Sequence, residues 1–271
     1  MPMVRRATAA NIDKLAHLID QSSFKDTLLP THKLLMCDKL DSVKIKAIES
    51  SLNMISIYKD QGLIEDFMKV MREADERKIS WRIRYALAET LTEVAKFLPI
   101  ETVKTDVFQL YKEFLTDKEQ EIRSIALMKL PALCEYLTWG SDKIALSEIT
   151  GCLDKILKDD SHHVRLAMTN ALCEVSSSYP LDQIIKLFLP MVEALLKDTA
   201  IEVRLAIIKE LPKLSKVMGK EKSATHITPL LMNLIKDPKW RFRLSLLNAI
   251  PEITLGLSLQ EFKDSFENLL K

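Results

Sequence analysis

Glycine is scarce in this sequence: 271 residues contain only five. That excludes an architecture of tight β-hairpins, and it leaves no Gly-rich loop of the kind that cradles phosphates. Aromatic residues are also few, at 6%, against 47% hydrophobic residues overall. The apolar material is therefore Leu, Ile, Val, Ala and Met, the diet of packed helices. Charge of one sign is missing as well. Lys and Arg number 39, Asp and Glu 38, so the net charge of +1 gives no global field for nucleic acid or an acidic membrane. The longest greasy stretch, Ile184 to Leu196, is broken by Lys186, Pro190 and Glu193, and the N-terminal segment has no signal core. Cys37, Cys134, Cys152 and Cys173 show no C-x-x-C spacing, which points to buried reduced thiols in an intracellular chain. No His precedes a Glu, His162 and His163 share a turn, and His17, His32 and His226 are scattered. No metal site, cofactor site or catalytic triad is expected.

What is present is a repeat. The stretch DTAIEVRLAII, from Asp198 to Ile208, carries an Asp, an apolar anchor five places on, an Arg directly after it and a small residue three past the anchor. The anchor recurs at Val4, Val43, Ile83, Ile122, Val164, Val203 and Phe242, with spacings of 39, 40, 39, 42, 39 and 39 residues. A period near 40 marks a helical solenoid, in which each helix pair buries its apolar face only against its neighbours. Apolar residues eleven past the anchor (Leu15, Met54, Val94, Leu133, Val175, Leu214 and Ile253) line one face of the second, or B, helix of each pair. An amphipathic A helix precedes each anchor from the second copy onward. Residues 1–271 are thus expected to form one all-α solenoid of about seven stacked antiparallel helix pairs.

Pro30, Pro190 and Pro229 each stand 13 residues before their anchors, with Gly151 in the same place in the fifth copy, so the A helices should bend at one height. Pro131, Pro212 and Pro251 share a position nine past the anchor and should bend three B helices. Asp38, Asp117, Asp159, Asp198 and Asp237 recur five before the anchor; Arg5, Arg84, Arg123, Arg165, Arg204 and Arg243 recur one after it. An acid in a turn can satisfy backbone donors and pair with the Arg of an adjacent repeat, which would fix the stacking register. The second copy has Lys44 for Arg and Lys46 for the small residue, and the third has Lys78 for Asp, so stacking should be loosest there.

The first copy starts at its B helix, and Leu259 to Leu270 reads as an A helix without a B partner. Neither end is a polar cap, so the chain reads as an internal slice or shortened form of a longer solenoid, prone to self-associate through its ends. The Asp, Val, Arg skeleton at this period, with proline in the A helix, resembles the HEAT repeat. Three stretches resemble turns in the scaffold (A) subunit family of protein phosphatase 2A: PMVRRA at Pro2 to Ala7, SWRIRYALA at Ser80 to Ala88, and DPKWRFRLSLLNAIPEI at Asp237 to Ile253. The resemblance covers the whole chain but only the middle half of a typical family member.

The resemblance implies a right-handed superhelix and a non-catalytic scaffold. It further implies that Arg5, Arg6, Trp81 and Arg82 lie on the side where a regulatory B-type subunit docks. Trp240 and Arg241 would lie near the catalytic-subunit side of a Ser/Thr phosphatase. Cytoplasmic, and also nuclear, location is expected on the same basis. Both Trp81 and Trp240 stand two before their anchors, off the apolar stripe and next to an Arg, as a partner-facing residue would. Trp139, beside Gly140 in an inter-repeat loop, reads as local packing. Two other readings share the architecture. One is a transport or assembly adaptor holding peptides in its concave face. The other is a HEAT-like enzyme on nucleic acid, for which the nine basic and three acidic residues from Lys209 to Arg243 would be the footprint, without clustered aromatics.

Overall fold

The computed structural model describes residues 1–75, 79–138, 144–234 and 238–254. Among these residues all regular structure is helical and there is no strand. The first repeat contributes a B helix in two pieces, α1 (Pro2–Ala9) and α2 (Ile12–Ala16). In the second, α3 (Gln21–Ser23), a π-turn (Phe24–Leu28) and α4 (Leu29–Met36) make the A helix, and α5 (Asp41–Tyr58) is its B partner. The third pairs α6 (Gln61–Asp75) with α7 (Trp81–Ala95). The fourth runs α8 (Ile100–Thr102), a π-turn (Val103–Val107), α9 (Phe108–Leu115) and the B helix α10 (Gln120–Thr138). The fifth is α11 (Ile144–Ile156) with α12 (His162–Ser176), and the sixth is α13 (Leu181–Gln183), a π-turn (Ile184–Phe188), α14 (Leu189–Leu196) and α15 (Ile201–Met218). The seventh is α16 (Lys220–Leu234) with α17 (Trp240–Ile253).

The chain divides into two compact units, Met1–Ala145 and Leu146–Lys271. In the first, α1, α5, α7 and α10 stack in order as one layer, with α4, α6 and α9 as the second. In the other, α12, α15 and α17 stack in order, and α14 and α16 each pack on α15. The core lies between the layers, where the periodicity places it. Six of the seven anchors are buried (Val43, Ile83, Ile122, Val164, Val203, Phe242), as are six of the seven residues eleven further on.

The exceptions are both in the first repeat. Val4 is 60% exposed and Leu15 is 49% exposed, against the expectation that both face the core. Val4 lies in α1, the first helix of the described residues. At Ala10 and Asn11 the B helix breaks, which rotates α2 so that Ile12 and Ala16 are buried in place of Leu15. A second departure concerns the prolines. At the expected height three A helices contain π-turns, in which the N–H of Leu29, Phe108 and Leu189 reaches back five residues to the carbonyls of Phe24, Val103 and Ile184. The wider turn relieves the clash that a proline ring makes with the carbonyl of the preceding turn, so Pro30 and Pro190 sit just after it without interrupting packing. The fourth repeat has Gln109 at that position and the same π-turn, so proline does not cause it. Pro229, by contrast, lies inside the continuous α16.

A polar tie joins the layers in two repeats. Eleven residues before the anchor, the buried Tyr111 hydroxyl donates to the Ala126 carbonyl on the B helix. At the equivalent place His32 Nε2 lies 3.0 Å from the Ala47 carbonyl and 3.1 Å from Ser51 Oγ. Ser51 stands eight past its anchor, where every other repeat has Ile or Leu, because it serves His32 and also donates to the Ala47 carbonyl at 2.8 Å. Cys134, Cys152 and Cys173 are buried, but Cys37, at the end of α4, is exposed, unlike the general expectation for these thiols. Burial raises the thiols of Cys134 and Cys173 to about 12.

Candidate functional site

The turns between A and B helices are built by the recurring aspartates. Oδ1 of Asp38, Asp117, Asp159 and Asp198 accepts the backbone N–H two residues on, from Leu40, Glu119, Ser161 and Ala200, at 2.8 to 2.9 Å. This Asx-type closure holds the turn in the shape from which the B helix starts. Three of the same carboxylates receive an arginine from the repeat before. Arg5 Nε lies 2.5 Å from Asp38 Oδ2. Arg84 makes two bonds to Asp117 at 2.7 and 3.1 Å, and Arg165 two bonds to Asp198 at 2.7 and 2.9 Å. Each pair spans 33 residues, so each is a rung between neighbouring repeats.

The rungs differ in shelter. Arg5 is 44% exposed, whereas Arg84 and Asp117 are 6% and 9% exposed. The bond from Arg5 holds the Asp38 carboxyl below its usual range. Burial pushes the Asp198 carboxyl up, but hydrogen bonds from Arg165 and the Ala200 amide outweigh it, and the net shift is downward. A bidentate Arg–carboxylate pair is the geometry in which such bonds are strongest. Arg84, Arg123, Arg165 and Arg243 also donate to carbonyls of their own turns, at Ile79, Asp117, Asp159 and Pro238. Arg204 lies over the Phe242 ring at 4.2 Å from its centroid. Asp237, Lys78, Trp139, Gly140 and the segment Leu259 to Leu270 lie outside the described residues.

The residues expected to face partners fall into three places along this row of turns. Arg5 is engaged in the first rung, and Arg6 beside it is exposed. Trp81 opens α7, is 38% exposed, and has the Arg82 guanidinium 4.8 Å from its ring centroid. Trp240 opens α17, is 61% exposed, and has Arg241 at 5.7 Å. Such cation–π pairs hold both groups in a defined orientation outside the core.

The two tryptophans have different surroundings, which sequence reasoning missed. One and two helical turns beyond Trp240, Leu244 and Leu247 are 49% and 48% exposed, so the three form one apolar stripe along α17. In the six earlier repeats the residue matching Leu247 is fully buried: Ala9, Ile48, Ala88, Leu127, Thr169 and Ile208. Leu247 lies on the face by which B helices stack, and α17 is the last B helix among the described residues, so the stripe is the edge of the described stack. Trp81 has no such stripe, since Ala88 is covered.

Helix pairs at a period near 40, tied by Arg–Asp rungs and closed by Asx-type turns, define a HEAT-repeat α-solenoid. The chain belongs to the family described as PIK3R4-like, middle domain, whose model matches residues 30–201. The model described as PPP2R1A-like HEAT repeat matches residues 182–254, which include Trp240 and the α17 stripe. Among curated proteins, the chain is 28% identical over 105 residues to the regulatory A subunit of protein phosphatase PP2A from Schizosaccharomyces pombe. That alignment covers 39% of this chain and 18% of the relative, so the chain spans only a small part of that protein's length. It is a HEAT protein similar to the A-type scaffold of that phosphatase. The crystal structure of Cex1p superposes with a TM-score of 0.58 at 14% identity, covering 95% of this chain and 54% of that one. An engineered protein superposes with a TM-score of 0.53 at 16% identity over 84% and 97%. These two likenesses concern the fold.

Proposed function

We propose that the protein is a non-catalytic scaffold that holds the catalytic subunit of a Ser/Thr phosphatase and a regulatory B-type subunit on the turns within its repeats. The observation that carries this reading is Trp240. Among the described residues it is the more exposed of the two tryptophans, it is held beside Arg241, and it stands within the residues that match the PPP2R1A-like repeat. A large ring presented from the first residue of a helix loses little entropy on binding, and Trp beside Arg is the composition of interface hot spots. The rungs supply the mechanism, because they set the spacing between successive turns and hence between the proteins those turns hold.

The test is a titration of the wild type, Trp240→Ala and Trp81→Ala with the purified catalytic subunit of a 2A-type phosphatase, with circular dichroism as the folding control. Trp240→Ala should weaken the complex by about 2 kcal/mol, roughly thirtyfold, and Trp81→Ala should spare it. Equal loss in both variants would remove the assignment of sides, and absence of binding by the wild type would reject this chain as a catalytic-subunit scaffold.

A further inference from the structure

The repeat pattern breaks most heavily at the junction of the second and third repeats, and each break is to lysine. Lys44 stands where the other repeats have arginine, Lys46 where four have alanine, and Lys78 where five have aspartate. The fourth is Lys69, fourteen residues before Ile83, where Phe108, Thr150, Leu189 and Thr228 are buried in other repeats. Two of the four lysines, Lys44 and Lys69, line a cavity of about 140 Å³ at the end of α4 and along α6, together with Asp66 and Glu73, over Met36 and Val70. The cavity lies within the first compact unit.

The lining holds two lysines and two carboxylates, and with Lys33 counted the described side chains carry one lysine in excess. Lys46 is held by Glu49 at 2.5 Å, and Asp66 is held by Lys33 at 3.4 Å. Neither Lys44 nor Lys69 has an ion-pair partner among the described residues, which leaves two ammonium groups facing the single carboxylate of Glu73. At the equivalent junctions a carboxylate from the following repeat completes the pair: Asp38 for Arg5, Asp117 for Arg84, Asp198 for Arg165. The cavity is well below the roughly 300 Å³ at which cofactor-sized sites begin, and large enough for an anionic head and a few waters.

We propose that this cavity accepts an anionic side-chain group, carboxylate or phosphoryl, from an acidic segment of a protein partner. The partner supplies from outside the negative charge that an aspartate supplies at the other junctions. Lys44 takes the role of the rung arginine as a point charge, which suits a ligand that arrives and leaves better than a fixed bidentate fork does. Met36 and Val70 give the stem of the incoming side chain an apolar floor. The proposal does not depend on the phosphatase reading, since any protein partner with a suitably placed acidic segment fits.

The experiment is fluorescence anisotropy of the full chain with a labelled glutamate-rich peptide and with its phosphoserine counterpart, using wild type, Lys44→Ala, Lys69→Leu and the exposed control Lys209→Ala. Wild type should bind at least one peptide, and the peptide preferred tells carboxylate from phosphoryl. Lys44→Ala and Lys69→Leu should each weaken binding about tenfold or more, with the control unchanged. Lys69→Leu restores the residue type of the sixth repeat, so its melting temperature should not fall, which separates a lost site from a lost fold. No binding of either peptide by wild type, equal loss in the control, or capture by phosphatidylserine vesicles without peptide binding would each overturn the proposal. The phosphatase titration run on Lys44→Ala should be unaffected, so failure of this site and failure of the scaffold reading are told apart.

Discussion

Replacing Arg165 by alanine removes the best-defined rung of the second unit, and its cost can be worked from the bonds it breaks. Arg165 makes two bonds to Asp198 and one to the Asp159 carbonyl at 2.6 Å, and the two side chains are only 12% and 7% exposed. Asp198 would keep the Ala200 amide at 2.8 Å but lose its counter-charge in a sheltered site. Hydrogen bonds to charged groups contribute about 1.5 to 3 kcal/mol, and stranding a buried charge costs about 3 to 5 kcal/mol. The residual exposure and the surviving amide bond place Arg165→Ala near roughly 3 kcal/mol. Removing both partners leaves no stranded carboxylate, so Arg165→Ala/Asp198→Ala should cost less than the sum of the single changes by about 1.5 kcal/mol. The assay is urea unfolding followed by circular dichroism, with amide exchange in α12 and α15 to detect local opening, because repeat arrays need not unfold in one step. A coupling below about 0.5 kcal/mol, or an effect of Arg165→Ala no larger than that of the exposed Lys197→Ala, would refute the view that the pair fixes the stack.

Acid should act on two groups in different regions of pH. Asp198 has a folded pKa below its unfolded value near about 4, so its contribution is full above about pH 4 and is lost as pH falls through the folded value; Asp198→Asn should flatten that acid limb of the stability curve. Burial lowers the pKa of His32, so the unfolded chain binds the extra proton first. Stability from His32 is therefore full above about pH 6.5 and falls below it, and His32→Gln should remove this step from melting curves taken between about pH 7.5 and 5.5. With a thiol reagent such as Ellman's, Cys37 should react in the native protein at once, while Cys134 and Cys173 should react only on unfolding; rapid native labelling of all of them would contradict their burial.

Much of the fold was legible because a solenoid repeats its instructions. Anchors such as Val203 and Ile122 and stripe residues such as Met54 and Leu133 face the core in copy after copy, so one reading of the period places them all. The Asp and Arg positions were legible for the same reason, though only geometry shows that Asp198 closes its own turn and receives Arg165 together. Leu15 misled because the break at Ala10 and Asn11 has no proline or glycine to announce it. The π-turn of the fourth repeat was hidden likewise, with Gln109 where the second and sixth repeats have proline. Trp81 and Trp240 look alike in sequence, each two before an anchor and followed by Arg. Their surroundings differ because α7 is stacked between α5 and α10, whereas α17 is the last B helix among the described residues.

The π-turns give the stack a period longer than that of its helix pairs. They begin at Phe24, Val103 and Ile184, in every second repeat, each 19 residues before its anchor. The polar ties of His32 and Tyr111 fall in two of those repeats. A feature that recurs at twice the helix-pair period makes neighbouring helix pairs inequivalent. Among the described residues the structural repeat is therefore two helix pairs long, with unlike A helices in its two halves. An engineer shortening or extending this chain should cut in those double steps, because removing a single pair would set two A helices of the same kind, both with or both without a π-turn, side by side.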